Sequence, residues 1–470
     1  MKKILFALLF LYTVYVSFAQ NIVIRHVNII PMTQESVLEN QTVVLENGII
    51  KSILPSKDDL KTPKNATIID GTGKYLMPGL MDMHAHFYYE QGENHNTCEA
   101  ELKMMLANGV TTARIMAGHP AYLVAKDNIK TGKWIGTDLF VVSPQLAGQW
   151  RWGTEFKNYE LVETPEQGVE AVKKYKREGY SEIKMTFLVK KEVYDAVIET
   201  AKKEGIKVTG HVGPLVRLPA ALAAKQQIEH MDEFIEMLLP DTSYNHGSSV
   251  SDFGIYSKAA WATIQHLDES KIPALAKMVK EAGIYVTPTN YFFLSTLCYN
   301  ATDEQIKQNP SYPFIPKSLN DEKWRNRQYV AKMQLSAENL TKYEHIRHKM
   351  VAELWKAGVP LMAGSDSPEF FLVTGFALHD ELESFVKSGL SPIEALKTAT
   401  VHTAKYLSID KQKGSVEVGK AADLILLDKN PLDDIRHTRA IQAVFKGDKY
   451  FDKKALDNLL TATQKVLSEN

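Results

Sequence analysis

The sequence predicts an α/β protein: a (β/α)8, TIM-like barrel joined to a small β-sandwich domain formed from both chain ends. Three observations predict it. From Gly79 to about Val401, amphipathic segments rich in Ala, Glu and Lys end in a glycine, and a short β-branched or apolar run follows each. Eight such runs favour a closed barrel over an open doubly wound sheet, and no glycine-rich phosphate loop follows the first of them. On either side of this region the pattern changes to alternating strands separated by glycine turns.

At the start of the chain, Lys2 and Lys3 precede the apolar stretch ILFALLFLYTVYV, which gives way to SFAQ. A positive start, an apolar middle and small residues at Ser17 and Ala19 read as a secretory leader over residues 1–19, cut after Ala19. The mature protein is therefore expected to be exported, periplasmic or secreted, with no membrane attachment after cleavage. Residues 20–75 alternate and turn at Glu46-Asn47-Gly48, as one half of the sandwich. Residues 76–407 form the barrel, with GLMDMH, TTARIM, DLFVVS, SEIKM, KVTGH, QQIEHM, YVTPT and PLMAGSD as its strands. Such nearly continuous apolar runs suit parallel strands covered by helices. Gly109, Gly179, Gly205, Gly283 and Gly358 stand where a helix end calls for a left-handed residue. Two long connections, 232–271 and 290–343, carry aromatics and are expected to form the mouth of the site as loops. Residues 408–455, with GSVEVGKAADLILLD and AIQAVFKGDKYF, supply the other half of the sandwich.

Apolar residues make up 44% of the chain and charged residues 24%, with a formal net charge of -1. That balance gives no reason to expect nucleic acid or an anionic membrane as partner, and leaves a small-molecule or dipeptide-like substrate. It leaves homo-oligomerisation open. Only Cys98 and Cys298 occur, too far apart for any zinc-finger spacing, so a bound metal would be held by nitrogen and oxygen. Nothing in the sequence says whether the two cysteines pair.

The chemistry stands at the strand ends. The first strand closes in His84 and His86, whose spacing puts both side chains on one face together with Asp82. Lys184 lies in the fourth, His211 in the fifth, His230 in the sixth and Asp366 in the eighth. A barrel brings all these ends to one mouth. Each residue alone has a plain structural explanation, such as a core imidazole or a helix-capping carboxylate, but five separate strand ends rarely coincide by accident. Four imidazoles and a carboxylate suit a borderline divalent cation such as zinc.

The ordered set GLMDMHAH, IKM, TGHV, IEHM and AGSDS, closing in KGSVEVGKAADLILLD, resembles the amidohydrolase superfamily across nearly the whole mature chain. The likeness is strongest to its branch of imidazolonepropionase-like and Xaa-Pro dipeptidase-like proteins. The resemblance implies two divalent metal ions, with His84, His86 and Asp366 on one and His211 and His230 on the other. It implies that Lys184 is carboxylated on its amine, as N6-carboxylysine, and bridges both. It also implies hydrolysis of an amide, dipeptide-like or related bond by a metal-activated water, with Asp366 as the catalytic proton carrier. One departure is visible: relatives often carry Arg-Asp at the end of the second strand, where this chain has Arg114 followed by Ile115. The bridging lysine favours two metals; a cyclic-amide hydrolase or deaminase of the same superfamily, which would use one, is the alternative. A non-catalytic binding protein on this scaffold is disfavoured because every ligand position is filled. For substrate contacts the sequence offers only His119, near the second strand end, and Tyr291, with Phe292, Phe293, Trp150 and Trp152 as further aromatics near the mouth.

Overall fold

The computed structural model describes residues 21–57, 63, 65–88, 95–148, 158–186, 188–231, 233–240, 261–298 and 301–470. The leader at 1–19 and the tryptophans Trp150 and Trp152 lie outside the described residues, as does part of each long connection.

The chain opens with β1 (Ile22–Ile29), β2 (Leu38–Glu46), β3 (Ile49–Pro55), β4 (Thr67–Asp70) and β5 (Tyr75–Pro78). Their partners β15 (Asp423–Leu427), β16 (Ile441–Lys446) and β17 (Lys449–Asp452) come from the far end of the chain. Together they form one eight-stranded sheet, ordered β17-β16-β15-β5-β1-β2-β3, with β4 beside β1. The antiparallel pairing of β5 with β15 joins the two ends. Ile49 also bridges Ala421, so the β3 edge curls back toward the start of β15. Ile22, Ile24, Val43, Leu424 and Phe445 are buried within this folded sheet, one side chain in two along each strand. In place of the two layers of the expected sandwich, both termini contribute to one curled eight-stranded sheet.

Between the two halves runs the barrel. Its strands are β6 (Leu80–Ala85), β7 (Val110–Ile115), β8 (Asp138–Val141), β11 (Glu182–Met185), β12 (Lys207–Gly210), β13 (Gln227–Glu229) and β14 (Val286–Thr287), all pairing in parallel. Every residue of β6 and β7 is buried, because one side of each strand faces the interior and the other the surrounding helices. A short pair, β9 (Gln145–Ala147) and β10 (Tyr159–Leu161), extends the sheet beside β11. The ring closes between β8 and β11 by bonds from Ser181 N to Val141 O (2.8 Å) and from Ser143 N to Glu182 O (2.9 Å). PLMAGSD is the exception among the eight expected strands: it is no regular strand and is held by isolated parallel bridges, Leu361 to Val286 and Ser367 to Ala85. Four hydrogen bonds of 2.7–2.9 Å, involving Met362, Ala363, Asp366 and Ser367, seat it between β14 and β6 and complete the eightfold ring.

The covering helices are those the glycines announce. They include α1 (His95–Ala107), α2 (Pro120–Lys130), α3 (Pro165–Glu178), α4 (Lys191–Glu204), α5 (Leu218–Ala223) and α6 (Ile272–Ala282). In α3, Thr164 and Gln167 form a capping box before Pro165, and Gly179 ends the helix at φ +90°. Val193, Val197 and Ala201 place one buried stripe of α4 against the barrel. The second long connection departs from expectation. Rather than a loop, it is mostly helical, with α7 (Asn290–Leu297), α8 (Asp303–Lys307) and α9 (Lys317–Lys332) ahead of α10 (Ala337–Lys356). Its polar, lysine-rich sequence hid this, because α9 buries only Lys323. The chain ends with α11 (Ala377–Lys387), α12 (Pro392–Thr398), α13 (Val401–Tyr406) and α14 (Lys453–Glu469), the last packed on α1 through a bond from Thr463 to Ala100 O. Among the described residues no helix is long and apolar enough to cross a membrane.

Candidate metal centre

β6 delivers His84 and His86 to the barrel mouth on one face, and the segment beside it delivers Asp366. One ligand atom from each of the three lies within 4.8 Å of the others, and all three residues are buried. Asp366 Oδ1 stands 3.4 Å from His84 Nε2 and 3.3 Å from His86 Nε2, and its Oδ2 stands 3.6 Å from His230 Nδ1. The His230 ring lies 4.5 Å from that of His84 and stacks at 4.5 Å on that of His211. Lys184 is buried on β11, beside Thr209 of β12.

The strand ends are bent to achieve this. In a regular strand Glu229 and His230 would face opposite ways. Instead β13 stops at Glu229, and His230 takes φ +64°. Thr289 and Asp366 likewise sit at φ +42° and +53°. Left-handed backbone at non-glycine residues costs on the order of 1–3 kcal/mol each, and here it gathers where three strands end at one mouth.

Burial and the nearby positive charge of Lys184 hold the His84 imidazole well below its usual pKa, and burial with His84 and His211 does the same for His230. Both are therefore neutral. His84 Nδ1 is 2.8 Å from Glu229 Oε2, and a carboxylate can only accept, so the proton sits on Nδ1 and the Nε2 lone pair turns to Asp366. A lone pair facing a carboxylate oxygen across 3.4 Å repels it unless a cation lies between. The donor set therefore fits a divalent metal held by nitrogen and oxygen.

Glu229 is the residue that sequence reasoning missed. It accepts from His84, from Arg114 Nη2 (2.6 Å) and from Thr209 Oγ1 (2.7 Å). Burial alone would raise its pKa, but the Arg114 guanidinium outweighs that and holds it below the usual range. A carboxylate orienting a metal-facing imidazole from behind is a recurrent arrangement. The one available sign was an acidic residue inside the apolar run QQIEHM. Arg114 itself does not reach for substrate: it is wholly buried and bonds Met83 O, Glu182, Tyr406 and Glu229. Asp82, on the same face as the two histidines, serves the backbone instead. It accepts from Ser365 N, Ser365 Oγ and His84 N, and ties the Asp366 segment to β6. Burial raises its pKa to about 6.

The weaker substrate candidates separate. His119 caps α2, its Nδ1 accepting from Ala121 N. The Tyr291 amide donates to Glu381, while its side chain lines a cavity formed with the inserted helices. Phe293 packs against His230 at 5.9 Å and under Arg347, and Phe292 packs against Phe370. Cys98 and Cys298 are both free thiols.

Residues 75–452 match the amidohydrolase family. The chain belongs to that family. As an amidohydrolase it is a metal-dependent hydrolase of carbon–nitrogen bonds. A 5-methylthioadenosine/S-adenosylhomocysteine deaminase from Caldanaerobacter subterraneus subsp. tengcongensis is 25% identical over 432 residues, covering 87% of this chain and 85% of the deaminase. The fold is that of a putative prolidase from Bifidobacterium longum (TM-score 0.65, 23% identity, 94% of this chain and 99% of the other). It is equally that of a Xaa-Pro dipeptidase solved with bound methionine (TM-score 0.64, 20% identity, 92% and 100%).

Proposed function

We propose that this amidohydrolase is exported, carries two divalent ions, with zinc suited to the nitrogen-rich donor set, and cleaves the amide bond of a dipeptide-like substrate. The observation that carries the reading is the approach of three imidazoles to the two oxygens of Asp366, at 3.3–3.6 Å. In this reading His84, His86 and Asp366 hold one ion and His211 and His230 the other. Lys184, buried beside them, would serve as a further ligand if carboxylated to N6-carboxylysine, since a carbamate offers the oxygen donors that an ammonium lacks. Carbamate forms from the neutral amine, which burial away from water favours over the ammonium.

When bound, such ions supply a water of lowered pKa and polarise a carbonyl oxygen. The chain's own groups do the rest. Asp366 accepts a proton on a carboxylate oxygen and hands it to the departing amine nitrogen. Glu229 keeps the His84 ring turned, with its proton on Nδ1. Asp82 and Ser365 fix the backbone from which Asp366 projects.

Asp366→Asn is expected to lower turnover of a cleaved dipeptide by at least 100-fold while retaining most of the metal. Elemental analysis should find about two ions per chain, falling to one in Lys184→Ala, and undiminished turnover in Asp366→Asn refutes the proton-carrier role. Deamination is the second reading, favoured by the 25% identity to the deaminase over most of both chains. A single ion per chain with activity on 5-methylthioadenosine, and none on a dipeptide panel, would establish it instead.

A further inference from the structure

Two barrel strands end early beside the metal centre, and one buried side chain takes over where their ladder stops. β13 ends at Glu229 and β14 at Thr287, so the carbonyls of His230 and Pro288 lie past the last strand pair. A buried backbone carbonyl needs a partner. Arg347 of α10, itself buried, supplies one to each: its Nη2 donates to Pro288 O (3.1 Å) and to His230 O (3.3 Å). Its Nε donates to Asn290 Oδ1 (3.0 Å) at the start of α7, and its Nη1 to the Tyr343 hydroxyl (3.2 Å).

The backbone gripped in this way is strained. His230, Met231 and Thr289 all hold positive φ, at +64°, +63° and +42°. Such conformations persist only where the surroundings over-determine them. The His230 ring is held from the same quarter: its Nδ1 lies 2.8 Å from Thr289 Oγ1, and Phe293 meets it edge to face at 5.9 Å. The Arg347 guanidinium in turn lies 4.1 Å from the centre of the Phe293 ring. One planar fork therefore joins both strand ends, α7 and the ring that packs on His230. An ammonium, with all its donors on a single atom, cannot span the same set. None of these contacts involves His84, His86 or Asp366.

We propose that Arg347 is a positioning residue of the metal centre, whose guanidinium fixes the left-handed bend at His230 and so keeps that imidazole turned toward the ion it shares with His211. The inference rests on the two-ion reading above and adds that the two ions depend on different parts of the chain. The ion of His84, His86 and Asp366 is held from β6 and the segment beside it. The other is held through α10, so loosening Arg347 loosens that ion alone.

The test uses the full mature chain, with zinc as the probe and a chromophoric chelator as competitor. Residues that orient a metal ligand from behind are typically worth about 10–100-fold in affinity. Arg347→Met should therefore weaken one ion at least tenfold and leave the other within threefold. Arg347→Lys keeps the charge but not the fork; it should weaken the same ion at least tenfold, and it carries the test if Arg347→Met does not fold. Tyr343→Phe, which removes only the Nη1 partner, should leave both ions within threefold. In a His211→Ala background, where the second ion is already lost, Arg347→Met should move the remaining affinity less than threefold. A readout without metal accompanies these. In the metal-free protein the His230 amide, bonded to Thr287 O at 2.8 Å, should exchange its hydrogen at least tenfold faster in Arg347→Met, and less than twofold faster in Tyr343→Phe. Equal weakening of both ions, full affinity in Arg347→Lys, or an unchanged His230 exchange rate would each overturn the proposal. A parent that binds a single ion, with faster His230 exchange in Arg347→Met, keeps the positioning role and sinks the two-ion reading. Two ions that Arg347→Met leaves unmoved do the reverse.

Discussion

Glu229→Gln is the substitution that best isolates how the metal centre is built. The change keeps the side chain's size and removes its charge. Gln can still accept from His84 Nδ1 through its oxygen, but that 2.8 Å bond loses its ionic character, and its NH2, in the place of Oε1, then meets the donors Arg114 Nη2 and Thr209 Oγ1. Arg114, 2.6 Å away and wholly buried, also loses one of its two counter-charges and keeps only Glu182. Its positive charge then opposes a cation beyond His84. Both effects act in the same direction, and supporting carboxylates of this kind are typically worth 10–100-fold in metal affinity, about 1.4–2.8 kcal/mol. Competition against a chromophoric chelator measures it. Thr209→Val is the control, because it removes a donor to Glu229 at 2.7 Å without touching the charge, and should cost stability of about 1 kcal/mol with affinity changed less than threefold. A folded Glu229→Gln protein whose metal affinity stays within twofold would refute the reasoning.

Other expectations follow from the same structure. Burial depresses the His379 pKa from 6.5 to about 3, so it is neutral when folded, and its contribution is full above pH 6.5 and lost as pH falls toward 3. Denaturant melts at pH 6.5 and 4.5 should show His379→Gln losing roughly 2 kcal/mol less than the parent over that interval; parallel losses would refute the assignment. Gly210 stands at φ +121°, where a Cβ would collide with Met185 O and crowd the Lys184 side chain. Gly210→Ala should therefore destabilise by at least about 2 kcal/mol and reduce the metal bound per chain, read by thermal melting and elemental analysis. Mass spectrometry of protein recovered from the exporting host should find Gln20 at the N-terminus; retention of Met1 would exclude the leader as read.

The barrel was legible because its grammar is local. Gly109, Gly179, Gly205, Gly283 and Gly358 all adopt the positive φ that a helix end requires, at +62° to +90°. His84 and His86 were legible for the same reason, since strand alternation fixes their common face. What escaped depends on contacts distant in sequence. The PLMAGSD segment is short of strand bonds because Asp82 and Ser365 hold it through side chains instead. Glu229 escaped because alternation would turn it away from His230, and only a left-handed residue at His230 brings both inward. Asp82 was grouped correctly with the histidines by spacing, yet spacing alone cannot say that its partner is a backbone amide 283 residues away. The inserted helices escaped because a mostly solvated helix such as α9 has no apolar stripe to announce it.

The pairing of β5 with β15 has a consequence for how the protein is made. Pro78 emerges from the ribosome long before its partner Leu424, and at ordinary synthesis rates the wait is on the order of tens of seconds. Throughout that interval the early strands have an open flank where β15 will dock. Chaperone capture or delivery across a membrane before folding would shield that flank until the last tenth of the polypeptide arrives to seal it.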